Sequence, residues 1–425
     1  MKIYLDTIGC RLNQSEIEKI GEQFRAAGHT LVDSLAQADL AVINTCTVTA
    51  KAAADSRKKI RQAYRGGAKE ILVTGCWATL ETHTALELPG VAQVVSNAEK
   101  DSLVCGYLGL PAEALRLDRL ARKPLPGNHQ RTRAFIKAQD GCDNSCTYCL
   151  TRLARGPSRS VPLEQIGVDL RRAEEGGVKE VVLTGVHLAS WGMDLTPPAS
   201  IKALVEYVLE NTRIPRLRLS SLEPWDLTPD FFSLWQNDCL CPHLHIPLQS
   251  GSGKTLHRMG RKITPSEYAG LLDQARSIQP DIAITTDVIV GFPGETESDF
   301  EESLAFVERM NFAGGHVFAY SPRPGTPAEK FPDRVSPEVI KVRSMQMRQA
   351  FRRSAQIYQE KFIGREVSVL WESKNSQCRD GWILHGLTEN YLQVTAFSPE
   401  PICNEISQVK LVEILEDGIR AVILL

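Results

Sequence analysis

The sequence predicts an α/β protein in three parts. These are an N-terminal doubly wound parallel-sheet domain, a central partial (β/α)6 barrel and a small all-β barrel at the C-terminus. Residues 1–100 alternate short apolar strands with amphipathic helices, and the same rhythm resumes at 133 for about six strand–helix units. From 363 to the end the pattern switches to period-two alternation without helices. A length of 425 residues exceeds one ordinary domain and suits this division.

The first strand is KIYLDT. Helical spacing of Ile17, Ile20 and Phe24 follows and stops at Gly28. Strand DLAVINT, a polar helix over 50–65 closed by Gly66–Gly67, strand EILVTG, a short helix and strand VAQVV complete a βαβ series over 1–104. Residues 105–132 carry Pro111, Pro124, Pro126 and Gly127 and read as a linker. The second series, 133–335, has strands AFIKAQ, EVVLTGV, RLRLSS, HLHIPL, AITTDVIVG and GHVFAYS. Six such units exceed a small open sheet and fall short of a closed eight-stranded barrel. A basic amphipathic helix over 336–362 then leads to about five strands over 363–425.

Hydrophobic residues make up 43% of the chain and charged ones 24%, with a formal charge of −2, which excludes a globally basic, non-specific nucleic-acid binder. There is no apolar run long enough to span a bilayer and no signal-peptide core in MKIYLDTIGC, so a cytoplasmic protein away from membranes is expected. Eleven cysteines in such a compartment point to metal ligands or catalytic thiols before disulfides. Cys105, Cys239, Cys241, Cys378 and Cys403 lie in unremarkable core or surface contexts, and six remain.

Cys142, Cys146 and Cys149 form GCDNSCTYC, a C-x3-C-x2-C trio in the loop after the first strand of the second series. Structural zinc wants four ligands, and no fourth cysteine or nearby histidine follows. Three thiolates at this spacing suit a [4Fe–4S] cluster with one iron open, and Tyr148 lies beside it in the sequence. Cys10, Cys46 and Cys76 each follow a strand of the first series, 36 and 30 residues apart. Equal phase in successive βα units puts them at one edge of a parallel sheet, the edge where such folds bind ligands. Neighbouring strands about 4.8 Å apart let thiolates on short loops converge. A second metal cluster is expected there, with water-completed zinc an alternative on spacing alone.

The two trios, with TIGCRLNQSE, NTCTVTAKAAADSRKKIRQA, DGCDNSCTYC and ARGPSRS, make the chain resemble the methylthiotransferases of the radical S-adenosylmethionine (SAM) superfamily over nearly its whole length. The resemblance implies an auxiliary [4Fe–4S] cluster on Cys10, Cys46 and Cys76, a radical SAM cluster on Cys142, Cys146 and Cys149, and a C-terminal TRAM barrel. It implies that Tyr148 and Gly185, then Ser221 and Glu223, then Gln249, Asp287 and Val290 surround SAM. Two SAM molecules would be used, one to methylate sulfur on the auxiliary cluster and one to generate the radical. NTCTVT, RKKIRQA and CTYC…ARGPSRS look most like the branch that methylthiolates C2 of threonylcarbamoyladenosine at position 37 of tRNA.

Related branches act on isopentenyladenosine-37 or on an aspartate of ribosomal protein S12, and a non-enzyme alternative is a zinc-stabilised RNA-binding protein. The expected partners are the tRNA anticodon stem–loop and an electron donor such as flavodoxin or ferredoxin. Two stretches depart from the family pattern: CLTRLARG lacks a proline before its RG pair, and VHLASWG replaces a glycine-bearing VNxGxYG. The tail from 361 has six Lys or Arg against nine acidic residues, so RNA contact is expected elsewhere. Arg155 and Arg159, flanking the cofactor mouth, are the foremost expected RNA contacts. Basic runs at Lys51–Arg65 and Arg343–Arg353 come second.

Overall fold

A computed structural model describes residues 1–111, 114, 115, 117, 120–126, 132–373 and 375–424. The chain divides into two compact units, and the division runs through the second strand–helix series instead of between the expected domains. Met1–Asn144, Cys149–Ser200 and Glu210–Arg213 form the first; Ser145–Tyr148, Ile201–Leu209 and Ile214–Leu425 form the second.

The first unit opens with β1 (Lys2–Thr7), α1 (Arg11–Ala26), β2 (Thr30–Val32), β3 (Leu40–Thr45), α2 (Ala50–Arg65) and β4 (Glu70–Gly75). Short helices α3 (Cys76–Leu80) and α4 (Thr82–Leu86), strand β5 (Val91–Val95) and helix α5 (Leu103–Leu108) follow. The sheet is parallel in the order β2-β1-β3-β4-β5. LAVINT lies at its centre, buried along its whole length as a two-faced parallel strand must be. α1 buries Ile17, Ile20 and Phe24 against one face, each worth about 1.5–3 kcal/mol. Thr49 caps α2 by accepting from Ala52 N at 3.0 Å. The expected linker therefore starts inside α5; of its markers, Gly127 lies outside the described residues.

The unit continues with β6 (Ala134–Lys137), β7 (Gln139–Asp140), α6 (Thr151–Arg155), β8 (Arg159–Ser160), α7 (Leu163–Glu175) and β9 (Glu180–Thr184), with β6 and β9 paired in parallel.

The second unit holds α8 (Ile201–Glu210) as far as Leu209, β10 (Arg216–Leu219), β11 (His243–His245), α9 (Gly253–Arg258), α10 (Pro265–Ile278), β12 (Ala283–Val290), α11 (Glu297–Met310) and β13 (Gly314–Ala319). β11, β12 and β13 are parallel neighbours, and parallel bridges Leu217↔Leu240 and Ser221↔His245 set the β10 segment beside β11. Capping boxes at Thr264 and Thr296 start α10 and α11. Helix α12 (Pro337–Glu360) leads to β14 (Glu366–Trp371), β15 (Ser376–Cys378), β16 (Gly381–Thr388), β17 (Gln393–Ser398), β18 (Ile406–Leu415) and β19 (Gly418–Ile423). β14 pairs with both β18 and β16 and so closes the sheet on itself, leaving β15 as a short hairpin arm beyond the five strands expected. Val369, Trp371, Leu384, Val394 and Val409 fill its interior. Buried Arg216 ties β10 to it, donating to Leu387 O at 3.0 Å and Ser368 O at 2.8 Å.

Candidate active site

Strand register decides where the N-terminal cysteines fall. Thr45 of β3 pairs with Gly75 of β4, so Cys46 and Cys76 leave adjacent strands at the same level. Thr7 closes β1 opposite Asn44, and the chain then turns through Gly9 (φ +108°) to Cys10. A Cβ on Gly9 would lie 2.7 Å from Cys46 Sγ, so only glycine lets the two loops approach. Gly75 adopts φ +99°, ψ −179°, a region nearly closed to other residues, and a Cβ there would meet Thr45 O at 2.3 Å. Gly75→Ala is expected to cost about 1–3 kcal/mol, read as a lowered urea midpoint with an unchanged slope.

The thiols share one polar neighbourhood. Cys10 Sγ sits 3.7 Å from Asn13 Oδ1, and Asn13 Nδ2 donates to Ile8 O (2.7 Å) and Thr45 O (3.0 Å), pinning the loops together. Cys76 Sγ accepts from Arg155 Nε at 3.2 Å and faces Asn97 Nδ2 at 3.6 Å. Cys10 lies at the rim with surface open to solvent, but protein crowds its sulfur, and this burial pushes its thiol up against the pull of Arg155. Burial likewise pushes Cys46 up to about 11, opposed by the Val48 N–H, while Cys10 and Cys76 act on it as neighbouring charges. Among the described residues no three His, Cys, Asp or Glu side chains stand close enough for one metal ion.

Arg155 is the hub, and it is not where the sequence put it. It was expected on an RNA-facing surface, but it is 4% exposed. Its guanidinium reaches Glu16 Oε1 and Asp140 Oδ1, each at 2.8 Å, and Asn13 Oδ1 at 2.6 Å, besides Cys76. Lys100 Nζ adds a 2.7 Å contact to Glu16 Oε2. Burial alone would raise the Glu16 carboxyl; Arg155 and then Lys100 outweigh it and hold Glu16 well below the usual carboxylate range. A buried charge must be paired, and four acceptors within the fold use up the fork that RNA would need.

Arg159 stays about half exposed, 3.5 Å from Asp140 Oδ2. In the basic runs, Lys59 pairs with Asp6 and Arg57 lies over Trp77, whereas Lys51, Lys58, Arg61 and Arg65 face solvent. Arg343 is buried against Glu295 and Glu297 and Arg353 pairs with Glu308, whereas Arg348 and Arg352 are exposed.

The second trio lies on one loop whose Cys142 and Cys149 belong to the first unit and whose Cys146 belongs to the second. Backbone N–H groups of Asn144 and Thr151 point to Cys142 Sγ and Cys149 Sγ at 3.4 Å. In the second unit, Thr147 N donates to Met259 O at 3.0 Å and Ala328 N donates to Thr147 O at 2.9 Å, while Tyr148 packs edge-on to Phe292.

Of the expected SAM residues, Gly185 stands in the first unit, tight against Gln139. In the second unit, Ser221 bridges to His245, whose Nε2 lies 3.2 Å from Asp287 Oδ2, and Gln249 bridges to Val288 with φ +74°. Glu223 is held by Arg261 at 2.7 Å, and Arg261 stacks 4.4 Å over Trp225. Val290 does not join Asp287. Strand alternation turns its side chain to the buried face, 1% exposed, and its carbonyl accepts from Tyr320 N at 2.9 Å. Asn13, Asn97, Arg261 and His245 were not anticipated. Only Asn13, one helical turn after Cys10, carried a local signal.

Residues 2–96 match a family described as uncharacterized protein family UPF0004, and residues 136–307 match the radical SAM superfamily. The chain is 34% identical over 419 residues to the threonylcarbamoyladenosine tRNA methylthiotransferase MtaB of Bacillus subtilis, covering 96% of this chain and 93% of that protein. Its identity to the protein of the same name from Thermotoga maritima is 38% over 379 residues, covering 87% and 86%. Among solved structures, the radical S-adenosylmethionine methyltransferase TsrM from Kitasatospora setae, with cobalamin and a [4Fe-4S] cluster bound, is similar with a TM-score of 0.57 and 13% identity over 77% of each chain, a likeness of fold alone.

Proposed function

The chain belongs to the methylthiotransferase family of radical SAM proteins, and from that premise we propose that it methylthiolates C2 of threonylcarbamoyladenosine at position 37 of tRNA. The observation that carries this reading is identity above 30% to the MtaB proteins over nearly the full chain, with both cysteine trios on loops that follow parallel strands.

Adenine C2 is neither nucleophilic nor acidic enough for ordinary acid–base chemistry, which is why a radical is needed. When bound, the [4Fe–4S] clusters and SAM supply a carbon-centred radical, an activated methyl group and a place for sulfur. The chain's own residues fit these groups. Cys142, Cys146 and Cys149 hold the radical SAM cluster, with N–H donors on two of their sulfurs. Cys10, Cys46 and Cys76 would hold the auxiliary cluster, and Gly9 lets the Cys10 loop come close to Cys46. Arg155 and Asn97 direct N–H groups at Cys76 Sγ and so orient it as a ligand. Arg261 orients Glu223, and His245 orients Asp287, toward SAM.

In this reading β6 and β9–β13 are the strands of a partial barrel, the C-terminal sheet is a TRAM domain, and Arg159 contacts the anticodon stem–loop. A cytoplasmic flavodoxin or ferredoxin supplies electrons.

Mass spectrometry of tRNA nucleosides tests the substrate. Deleting the protein should abolish 2-methylthio-threonylcarbamoyladenosine and leave its unthiolated parent to accumulate. Loss of the isopentenyladenosine derivative instead, or no change in tRNA nucleosides, would overturn the assignment.

A further inference from the structure

A cavity of about 720 Å3 opens in the second unit beyond the C-terminal ends of β12 and β13, under the first turns of α12. This is the size range of small-ligand sites, at the sheet edge where parallel strands bind ligands. Its walls are preset. Pro293, Pro322 and Pro337 are stiff, and Gly291 (φ +77°) sits so close to Ile340 that a Cβ would lie 2.3 Å away.

Three features point to one class of occupant. The lining is mostly apolar, with the Tyr320 ring beside it. Ser344 is 2% exposed and its Oγ has no hydrogen-bond partner, and Tyr320 Oη is likewise buried and unpartnered; both residues line the cavity, so turning either hydroxyl to a ligand's edge would satisfy it. Arg334, Lys341 and Arg348 are exposed among the lining residues, with no carboxylate among them, and Ser336 and Pro337 bring the N-terminus of the 24-residue α12 to the same wall. Lys341 and Arg348 stand seven residues apart, on one helical face. An apolar slot with hydrogen-bonding edge groups and a cationic, helix-capped mouth fits a base with its phosphate.

We propose that this cavity holds an unpaired nucleotide of the RNA substrate, its base against Tyr320 and Ser344 and its phosphates against Lys341 and Arg348. The assignment rests on the RNA-modifying reading and adds to it a second gripping point, separate from the reacting base. Holding a neighbouring nucleotide fixes the strand's register, so the target base can be delivered unstacked.

The test is anisotropy titration of the whole protein with an anticodon stem–loop RNA across a range of salt. Lys341→Glu with Arg348→Glu should weaken binding at least about tenfold at about 0.1 M salt. It should also reduce the salt slope by about 1.4, roughly 0.7 for each single-strand phosphate. Ser344→Phe, which fills the cavity, should weaken binding without changing the slope. Lys69→Glu, whose lysine pairs with Asp39 and lies outside both basic runs, serves as the control and should bind as wild type. If Ser344→Phe misfolds, the surface pair alone decides.

Unchanged affinity and slope in the double reversal would overturn the proposal. So would a double reversal that loses adenosine monophosphate binding but keeps RNA binding, because the cavity would then serve a free nucleotide. Nucleoside mass spectrometry stays independent. RNA binding that depends on the cavity without any methylthiolation would refute the proposed reaction and leave the cavity's role standing.

Discussion

Cys76→Ala is expected to stop methylthiolation while leaving SAM cleavage to 5′-deoxyadenosine intact, and Cys149→Ala to abolish both. The two trios belong to separate loops and, in the proposed reaction, to separate jobs. Cys76 begins α3 at the end of β4, level with Cys46, and does not belong to the GCDNSCTYC loop. Its removal should take about four irons per chain and leave about four. Quantifying 5′-deoxyadenosine and methylthio-nucleoside in one reaction reads both effects. Full methylthiolation by Cys76→Ala would sink the assignment of the N-terminal trio.

The second large effect is at Arg155. Arg155→Met leaves the Glu16 and Asp140 carboxylates without their shared counter-charge inside the protein, and breaking such a buried pair costs about 3–5 kcal/mol. It also removes the strongest donor to Cys76 Sγ. The expected result is a lowered denaturation midpoint in the metal-free protein and loss of about half the bound iron. Arg155→Lys separates the two effects, since it keeps the charge and gives up the fork. That variant should fold and load iron, but the midpoint potential of the auxiliary cluster should fall as an N–H···S bond is lost. Measured with Cys142, Cys146 and Cys149 replaced by alanine, the potential reports that cluster alone. Normal iron and potential together with weakened RNA binding would return Arg155 to the RNA surface.

The contrast between Cys76 and Arg155 marks what a sequence of this kind can tell. The cysteine phase was legible because βα units repeat at a nearly constant length, and parallel register carries equal phase to one edge. The pairing Thr45↔Gly75 realises that inference. Arg155 was not legible, because its burial depends on Cys76, Asn13 and Glu16, 79 to 142 residues away. In a five-residue helix, no periodicity distinguishes an inward arginine from an outward one. Val290 and Asp287 face opposite ways because three residues along a strand is an odd step. The linker expected from 105 overlaps α5, because the prolines that suggested it begin only at Pro111, after α5 has already ended.

In the proposed reaction Cys10, Cys46 and Cys76 hold an iron–sulfur cluster of their own. Anaerobic purification of the Cys142→Ala/Cys146→Ala/Cys149→Ala protein, followed by iron and sulfide analysis and Mössbauer spectroscopy, tests it most directly. A brown protein with about four irons and a [4Fe–4S] signature is the predicted result. A colourless protein, or one carrying a single zinc in place of iron, would contradict it.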